Sequence, residues 1–205
     1  MQTEPELNAD YWSNRYQQKE TGWDAGFITT PLETYINQLT NKDISILIPG
    51  CGHGHEAEYL HQKGFPKVYI MDFAPEPLER FQKRNPDFPE DHLLQQDFFS
   101  ETGQTFDLVL EQTFFCALLK EQRPAYARKM FDLLKPKGKL VGVLFSEEFE
   151  SQGPPFGGTP LEYQAYFEPY FTFKVFEPCH NSIPPRAGRE WFMVLERREK
   201  PQFIA

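Results

Sequence analysis

Apolar positions along this 205-residue chain fall into two alternating rhythms. Short apolar, often β-branched runs occur at 45–48, 67–72, 91–97, 106–111 and 139–145, each of the length expected for a strand. The clearest helical pattern is 123–135, where Ala127, Met130, Phe131 and Leu134 recur at i, i+3, i+4 and i+7. It ends in Lys135-Pro-Lys-Gly138, basic residues followed by a glycine that reads as a helix stop. Stretches 31–39 and 75–84 open with proline, whose missing N–H costs nothing in a first helical turn, and another helix begins near Glu56. Residues 146–158 form a loop dense in Gly and Pro. Two aromatic-rich runs, 171–176 and 190–196, read as an antiparallel pair closing the sheet. Strands alternating with helices predict an α/β fold with a mainly parallel sheet. No repeat, linker or low-complexity tract interrupts the pattern, so 1–205 reads as one domain, long enough for a core.

The first strand–helix junction carries the most chemistry. The strand at 45–48 runs into Pro49-Gly50-Cys51-Gly52-His53-Gly54, and a helix follows. A strand breaking into a glycine-rich turn and then a helix lets backbone approach a nucleotide-like ligand. The next strand ends in Asp72, about 20 residues on, where a ribose-binding acid belongs. A dinucleotide turn needs a third glycine for helix–strand packing, and counting from Gly50 that position is His55. The turn here is G-x-G-x-G, which has no pyrophosphate to cradle and leaves room for a carboxylate, an adenosine and a sulfonium. The third and fourth strands end in Asp97, at the height of an adenine amino group, and Glu111. Ligands in open parallel sheets sit outside the carboxyl ends of the strands, so Gly50, Gly52, Asp72, Asp97 and Glu111 meet at one edge. Any one of these acids would serve equally as a helix cap; the set points to a cofactor.

Residues 1–30 hold Trp12, Tyr16 and Trp23 without a long periodic pattern. They read as an aromatic cap over the site, with simple stapling of the N-terminus to the core as the plainer alternative. Cys51, His53, His55 and His61 have spacings that suit zinc. A turn whose backbone faces a cofactor points these side chains apart, so no metal is expected.

Charge and composition narrow the partners. A net charge of −9 with no basic stripe argues against nucleic acid or an anionic membrane surface, since phosphate binding requires clustered Lys and Arg. The densest basic run, Arg197-Arg-Glu-Lys200, is short. No run approaches the ~18 apolar residues of a membrane span. The start, Met-Gln-Thr-Glu-Pro-Glu, is acidic and polar, unlike a secretion signal. Three cysteines fit a reducing compartment better than a disulfide framework. The expectation is a cytoplasmic monomer. With 20 Phe, 9 Tyr and 3 Trp, it has rings enough for a core and an aromatic small-molecule pocket.

The motifs together resemble a class I S-adenosylmethionine-dependent methyltransferase. More narrowly, they resemble the thiopurine S-methyltransferase family and, within it, the halide/thiol branch. The likeness runs from about Tyr11 to Arg197. Its motifs are Trp12-x-x-x-Tyr16, Trp23-Asp24-x-Gly26, Pro31-Leu32, Ile48-Pro-Gly-Cys-Gly52 and Gln96-Asp97-Phe98. Further on come Phe106-Asp107, Phe114-Phe-Cys-Ala117, Arg123-Pro-Ala-Tyr-Ala127, Leu134-Lys-Pro-x-Gly138, Gly153-Pro-Pro-Phe156 and Ile183-Pro-x-Arg186-x-Gly188.

The resemblance implies a Rossmann-like, mostly parallel seven-stranded sheet with an antiparallel C-terminal strand and helices on both faces. It implies S-adenosyl-L-methionine as cofactor, S-adenosyl-L-homocysteine as product, and no metal. Cofactor contacts then fall on Trp12, Tyr16, Trp23, Gly50, Cys51, Gly52, Asp72, Phe73, Asp97, Phe98 and Glu111. Acceptor-pocket candidates are Gln112, Phe115, Phe145, Phe156 and Arg186, with no catalytic residue assigned. The implied reaction is in-line methyl transfer to a small soft nucleophile: a thiol, hydrosulfide, thiocyanate or halide. Thiopurine-type aromatic thiol methylation is the alternative. The chain departs from its relatives at Gln112, an arginine in the thiopurine enzymes and a tyrosine in the plant halide/thiol enzymes, and at Phe145, where the plant type has tyrosine. Two other classes compete. A nicotinamide-dependent oxidoreductase is disfavoured by His55 and the tryptophan cap. A non-catalytic binding protein is disfavoured by intact Gly50, Gly52, Asp72 and Asp97.

Overall fold

The computed structural model describes residues 7–149 and 153–203. Five strands pair in parallel: β1 (Ile46–Pro49), β2 (Val68–Asp72), β3 (Leu93–Gln95), β4 (Phe106–Gln112) and β5 (Leu134–Phe145). β7 (Glu190–Arg197) runs antiparallel to both β5 and β6 (Phe171–Pro178). The sheet order is β3-β2-β1-β4-β5-β7-β6, the mostly parallel arrangement with an antiparallel last strand that the sequence implied.

Successive strand residues point to opposite faces, and here both faces are covered. Leu47, Met71, Val109 and Leu140 pack with Tyr126 and Met130 of α5 (Arg123–Leu133) and with Tyr163 and Phe167 of α6 (Pro160–Phe167). Their strand neighbours Ile46, Ile48, Ile70, Leu108 and Val141 pack on the other face. There they meet Leu32 of α2 (Thr30–Ile36), Leu60 of α3 (His55–Gln62) and Phe81 of α4 (Pro75–Arg84). Double-sided burial explains why these strands read as continuous apolar runs.

Boundaries shift where local chemistry overrides the pattern. α5 stops at Leu133, and Leu134 is already extended (φ −93°, ψ 140°) and paired with Phe106. Pro136 disfavours a helical Lys135, which ends the helix before the predicted 135. Gly138 is therefore no helix stop. It lies inside β5, where a Cβ would come within 2.8 Å of Lys135 O. β3 covers only Leu93–Gln95, because Glu90–His92 turn as a 3-10 helix. α1 (Ala9–Gln17) and α6 were not foreseen as helices. Asn8 caps α1, its Oδ1 accepting from Tyr11 N–H at 3.0 Å. Thr159 caps α6 by accepting from Glu162 N–H at 3.3 Å. α6 buries Tyr163 and Phe167 at i and i+4, but Leu161, 78% exposed on the opposite side, blurs that face in the sequence. Among the described residues no helix is long and apolar enough to cross a membrane.

Candidate active site

β1 and β2 end side by side, Pro49 in register with Met71, which brings the glycine turn and Asp72 to one edge. Gly50 has φ 55°, and a Cβ there would lie 2.3 Å from the Phe114 ring. Only glycine permits both the conformation and the contact. Gly54, at φ 72° before α3, would place a Cβ 2.6 Å from Phe81 of α4. The close-packing role of a third glycine thus falls one residue before His55.

The turn opens on a cavity of about 830 Å³, within the usual range for a ligand site. Eight of the eleven cofactor candidates line it: Trp12, Tyr16, Trp23, Gly50, Asp72, Phe73, Asp97 and Phe98. Cys51 and Gly52 stand behind the wall. Cys51 is buried with its N–H donating to Met71 O at 3.1 Å, and Gly52 lies beneath Tyr16 and Trp23. Asp72 is only 7% exposed, and its Oδ1 accepts from Ala74 N–H at 3.1 Å. Burial pushes its carboxyl up to about 6 against the pull of the Ala74, Gly52 and Phe73 N–H groups.

Within the expected cap at 1–30, Trp12, Tyr16 and Trp23 line this cavity with Leu7, Asn8 and Gly22; residues 1–6 fall outside the described residues. α1 is clamped to α4 by Glu76, which accepts from Ser13 Oγ at 2.7 Å and Gln17 Nε2 at 2.8 Å. Arg80 Nη2 donates to Tyr16 O at 2.9 Å. Trp23 meets Trp12 and Tyr16 edge-on, with centroids 5.4 and 5.6 Å away. Asp24, of the Trp23-Asp24-x-Gly26 motif, is grasped from the glycine turn and the start of α3: His55 Nε2 lies at 2.8 Å and His53 Nδ1 at 3.3 Å. Burial raises the Asp24 pKa, but Gly26 N–H and the two imidazoles outweigh it and hold the carboxyl below its ordinary value. His61 pairs instead with Asp87 at 3.0 Å, so Cys51, His53, His55 and His61 do not gather. Among the described residues no three His, Cys, Asp or Glu side chains are placed to hold a metal ion.

The acceptor candidates divide. Phe145 and Arg186 line the cavity, beside Cys116, Leu119, Phe149 and Arg189. Arg186, 8% exposed, donates from Nη2 to Trp23 O at 2.6 Å, while its Nη1 lies 3.6 Å from Glu190 and makes no hydrogen bond. Gln112 does not line the cavity; its Oε1 accepts from Thr29 Oγ1 at 2.7 Å, and its buried Nε2 has no partner. Phe115 sits in the core against Tyr126 and Tyr163, centroids 5.1 and 5.2 Å away. Phe156 acts through its backbone: its N–H donates to Cys116 O at 2.6 Å and its carbonyl accepts from fully buried Arg123.

Glu111 also stays off the cavity. It is fully buried, with Oε1 accepting from Phe114 and Phe115 N–H at 2.8 and 2.9 Å and Oε2 accepting from Tyr126 OH. Burial lifts its carboxyl to about 7, against those three donors. Thr113, which lines the cavity, has φ 59°. Cys116 Sγ donates to Thr113 O at 3.2 Å, and burial together with Glu111 pushes its thiol up to about 12. A threonine in the left-handed region announces itself by no sequence signal.

A doubly covered sheet in this order, with a glycine turn, a carboxylate and an aromatic cap around one cavity, defines a class I methyltransferase. The profile of the family described as Thiopurine S-methyltransferase (TPMT) matches residues 7–204, and the chain belongs to that family. It is 30% identical over 185 residues to probable thiol methyltransferase 2 of Arabidopsis thaliana, covering 87% of this chain and 81% of that one. It is 28% identical over 187 residues, with the same coverage, to thiocyanate methyltransferase 1 of Brassica oleracea. Its fold is like that of Burkholderia thailandensis 1,6-didemethyltoxoflavin-N1-methyltransferase, solved with 1,6-didemethyltoxoflavin and S-adenosylhomocysteine. The TM-score is 0.74 at 15% identity, covering 94% of this chain and 88% of that one. The protein is an S-adenosylmethionine-dependent S-methyltransferase.

Proposed function

We propose that the acceptor is a small thiol or hydrosulfide, with thiocyanate or iodide as weaker acceptors. The observation that carries this reading is the acceptor end of the cavity, where Phe145 and Phe149 stand beside Arg186, whose Nη1 faces Glu190 at 3.6 Å and makes no hydrogen bond. Apolar walls favour a weakly hydrated soft anion over a strongly hydrated one, and the Arg186 guanidinium supplies the positive charge that draws it in. The residues fit the cofactor: Asp72 is a buried acceptor positioned for ribose hydroxyls, Asp97 for an adenine amino group, and Phe73 and Phe98 flank the space between. Bound there, S-adenosylmethionine supplies a methyl group on a sulfonium, a good leaving group for in-line displacement. The chain's own work is to bind, align and exclude water: Trp12, Tyr16 and Trp23 close the cavity, and Arg186 fixes the cap at Trp23 O. A thiolate is already a competent nucleophile, so no general base is assigned.

Aromatic thiols of the thiopurine kind are the second reading, favoured by the further apolar wall of Leu118, Leu119, Pro154 and Pro155. Incubating the protein with S-adenosylmethionine and a panel of hydrosulfide, small alkyl thiols, thiocyanate, iodide, a thiopurine, a phenol and an aromatic amine, with products read by mass spectrometry, tests both. Small thiols and hydrosulfide are expected to be methylated fastest. Transfer to oxygen or nitrogen acceptors alone would overturn the substrate reading and leave the fold assignment standing.

A further inference from the structure

Three observations converge beneath the cavity at the end of β4. Thr113 holds φ 59°, a conformation a β-branched residue adopts only where its surroundings impose it. Directly under it, fully buried Glu111 accepts from the next two backbone N–H groups, Phe114 and Phe115, and from the hydroxyl of fully buried Tyr126. The turn so held is the wall common to both halves of the cavity. Phe114 fills the space over Gly50 on the cofactor side, while Thr113 and Cys116 stand on the side of Phe145.

The remaining bonds of this turn close it on itself. Thr113 Oγ1 donates to Gln112 O at 2.7 Å, Ala117 N–H to Phe114 O at 2.9 Å, and Cys116 Sγ to Thr113 O at 3.2 Å. The buried carboxylate is what ties the first half of the turn to the core.

We propose that Glu111 is a positioning residue: from below the cavity it fixes the Thr113–Phe114 turn, and with it the alignment of cofactor and acceptor, without touching either. The proposal rests on the reading of the cavity given above. In-line displacement depends steeply on alignment, so a loosened turn costs turnover far more than it costs ground-state binding. An amide at this position still accepts from Phe114 and Phe115 N–H through its carbonyl oxygen, whereas alanine leaves both donors and the Tyr126 hydroxyl bare.

The test compares wild type with Glu111→Gln, Glu111→Ala and Tyr126→Phe. It reads S-adenosylhomocysteine affinity by calorimetry, turnover with hydrosulfide at saturating cofactor, and amide hydrogen exchange at Phe114 and Phe115. Glu111→Ala is expected to lose about a hundredfold in kcat while its S-adenosylhomocysteine affinity stays within about threefold of wild type, with faster exchange at both amides. Glu111→Gln should restore slow exchange and most of the turnover. Tyr126→Phe, which keeps the two backbone contacts and folds with an intact sheet, should lose roughly tenfold in kcat with affinity unchanged. The proposal is overturned if affinity falls as far as turnover, if Glu111→Gln is as poor as Glu111→Ala, or if Tyr126→Phe matches wild type. Wild type that binds no S-adenosylhomocysteine would sink the cavity reading instead, and the exchange data would still report whether Glu111 holds the turn.

Discussion

Asp72 shows how one side chain serves binding at the expense of folding. Its carboxyl is raised from 3.8 to about 6 by burial, so the folded protein holds this proton more tightly than the unfolded chain does. Folding stability from this group therefore declines as pH rises from about 4 to about 6 and stays lost above that. Asp72→Asn removes the titration, and the cofactor-free variant should be more stable than wild type at pH 7 by about 3 kcal/mol, with no advantage at pH 4. Asp72→Ala, which removes the acceptor, should bind S-adenosylhomocysteine about thirtyfold more weakly, near 2 kcal/mol. Urea unfolding at the two pH values and calorimetry read the two effects separately. An Asn variant that is less stable at pH 7 would show that burial does not burden this carboxylate.

Among the helices, α1 has a direct hold on the cavity and few side-chain bonds to keep it there. Two bonds to Glu76 and one from Arg80 dock it on α4, and Trp12 and Tyr16 project from it into the site. Glu76→Ala should weaken S-adenosylhomocysteine binding about three- to tenfold, roughly 1 kcal/mol, and expose residues 10–30 to protease. Tryptophan fluorescence and limited proteolysis check this; unchanged affinity and cleavage would reduce the clamp to packing. How legible the elements were depended on what forms them. Strands buried on both faces read as apolar runs, and α4 matched its predicted bounds because Pro75 sets its start. α6 stays hidden because exposed Leu161 and Ala165 blur the face that Tyr163 and Phe167 mark, and the α5–β5 junction shifts because Pro136 outweighs the Gly138 signal.

At the scale of the whole molecule, the sheet order brings most of the sequence-marked residues to one cavity, and that convergence is legible because parallel strands share a carboxyl edge. Which way a strand-end side chain points was misread, although parity carries the answer. Glu111 has the parity of Val109 and faces Tyr126, while Gln112 has the parity of Leu108 and Leu110 and faces Thr29. The grip of His53 and His55 on Asp24 joins residues 29 or more apart, a contact that no local pattern reveals. One wall residue raises a question of self-preservation. A protein that carries an activated methyl group next to its own sulfur stands to become its own substrate. The Cys116 thiol, pushed up to about 12 and donating to Thr113 O, is ionised in only about one molecule in 10⁵ at pH 7. Since the thiolate is the reactive form, intact-mass measurement after long incubation with S-adenosylmethionine alone should find Cys116 unmodified, and methylation there would refute this. Guest sulfur and resident sulfur are told apart by ionisation: the guest arrives already charged and is drawn by Arg186, whereas burial beside Glu111 denies the enzyme's own thiol its charge.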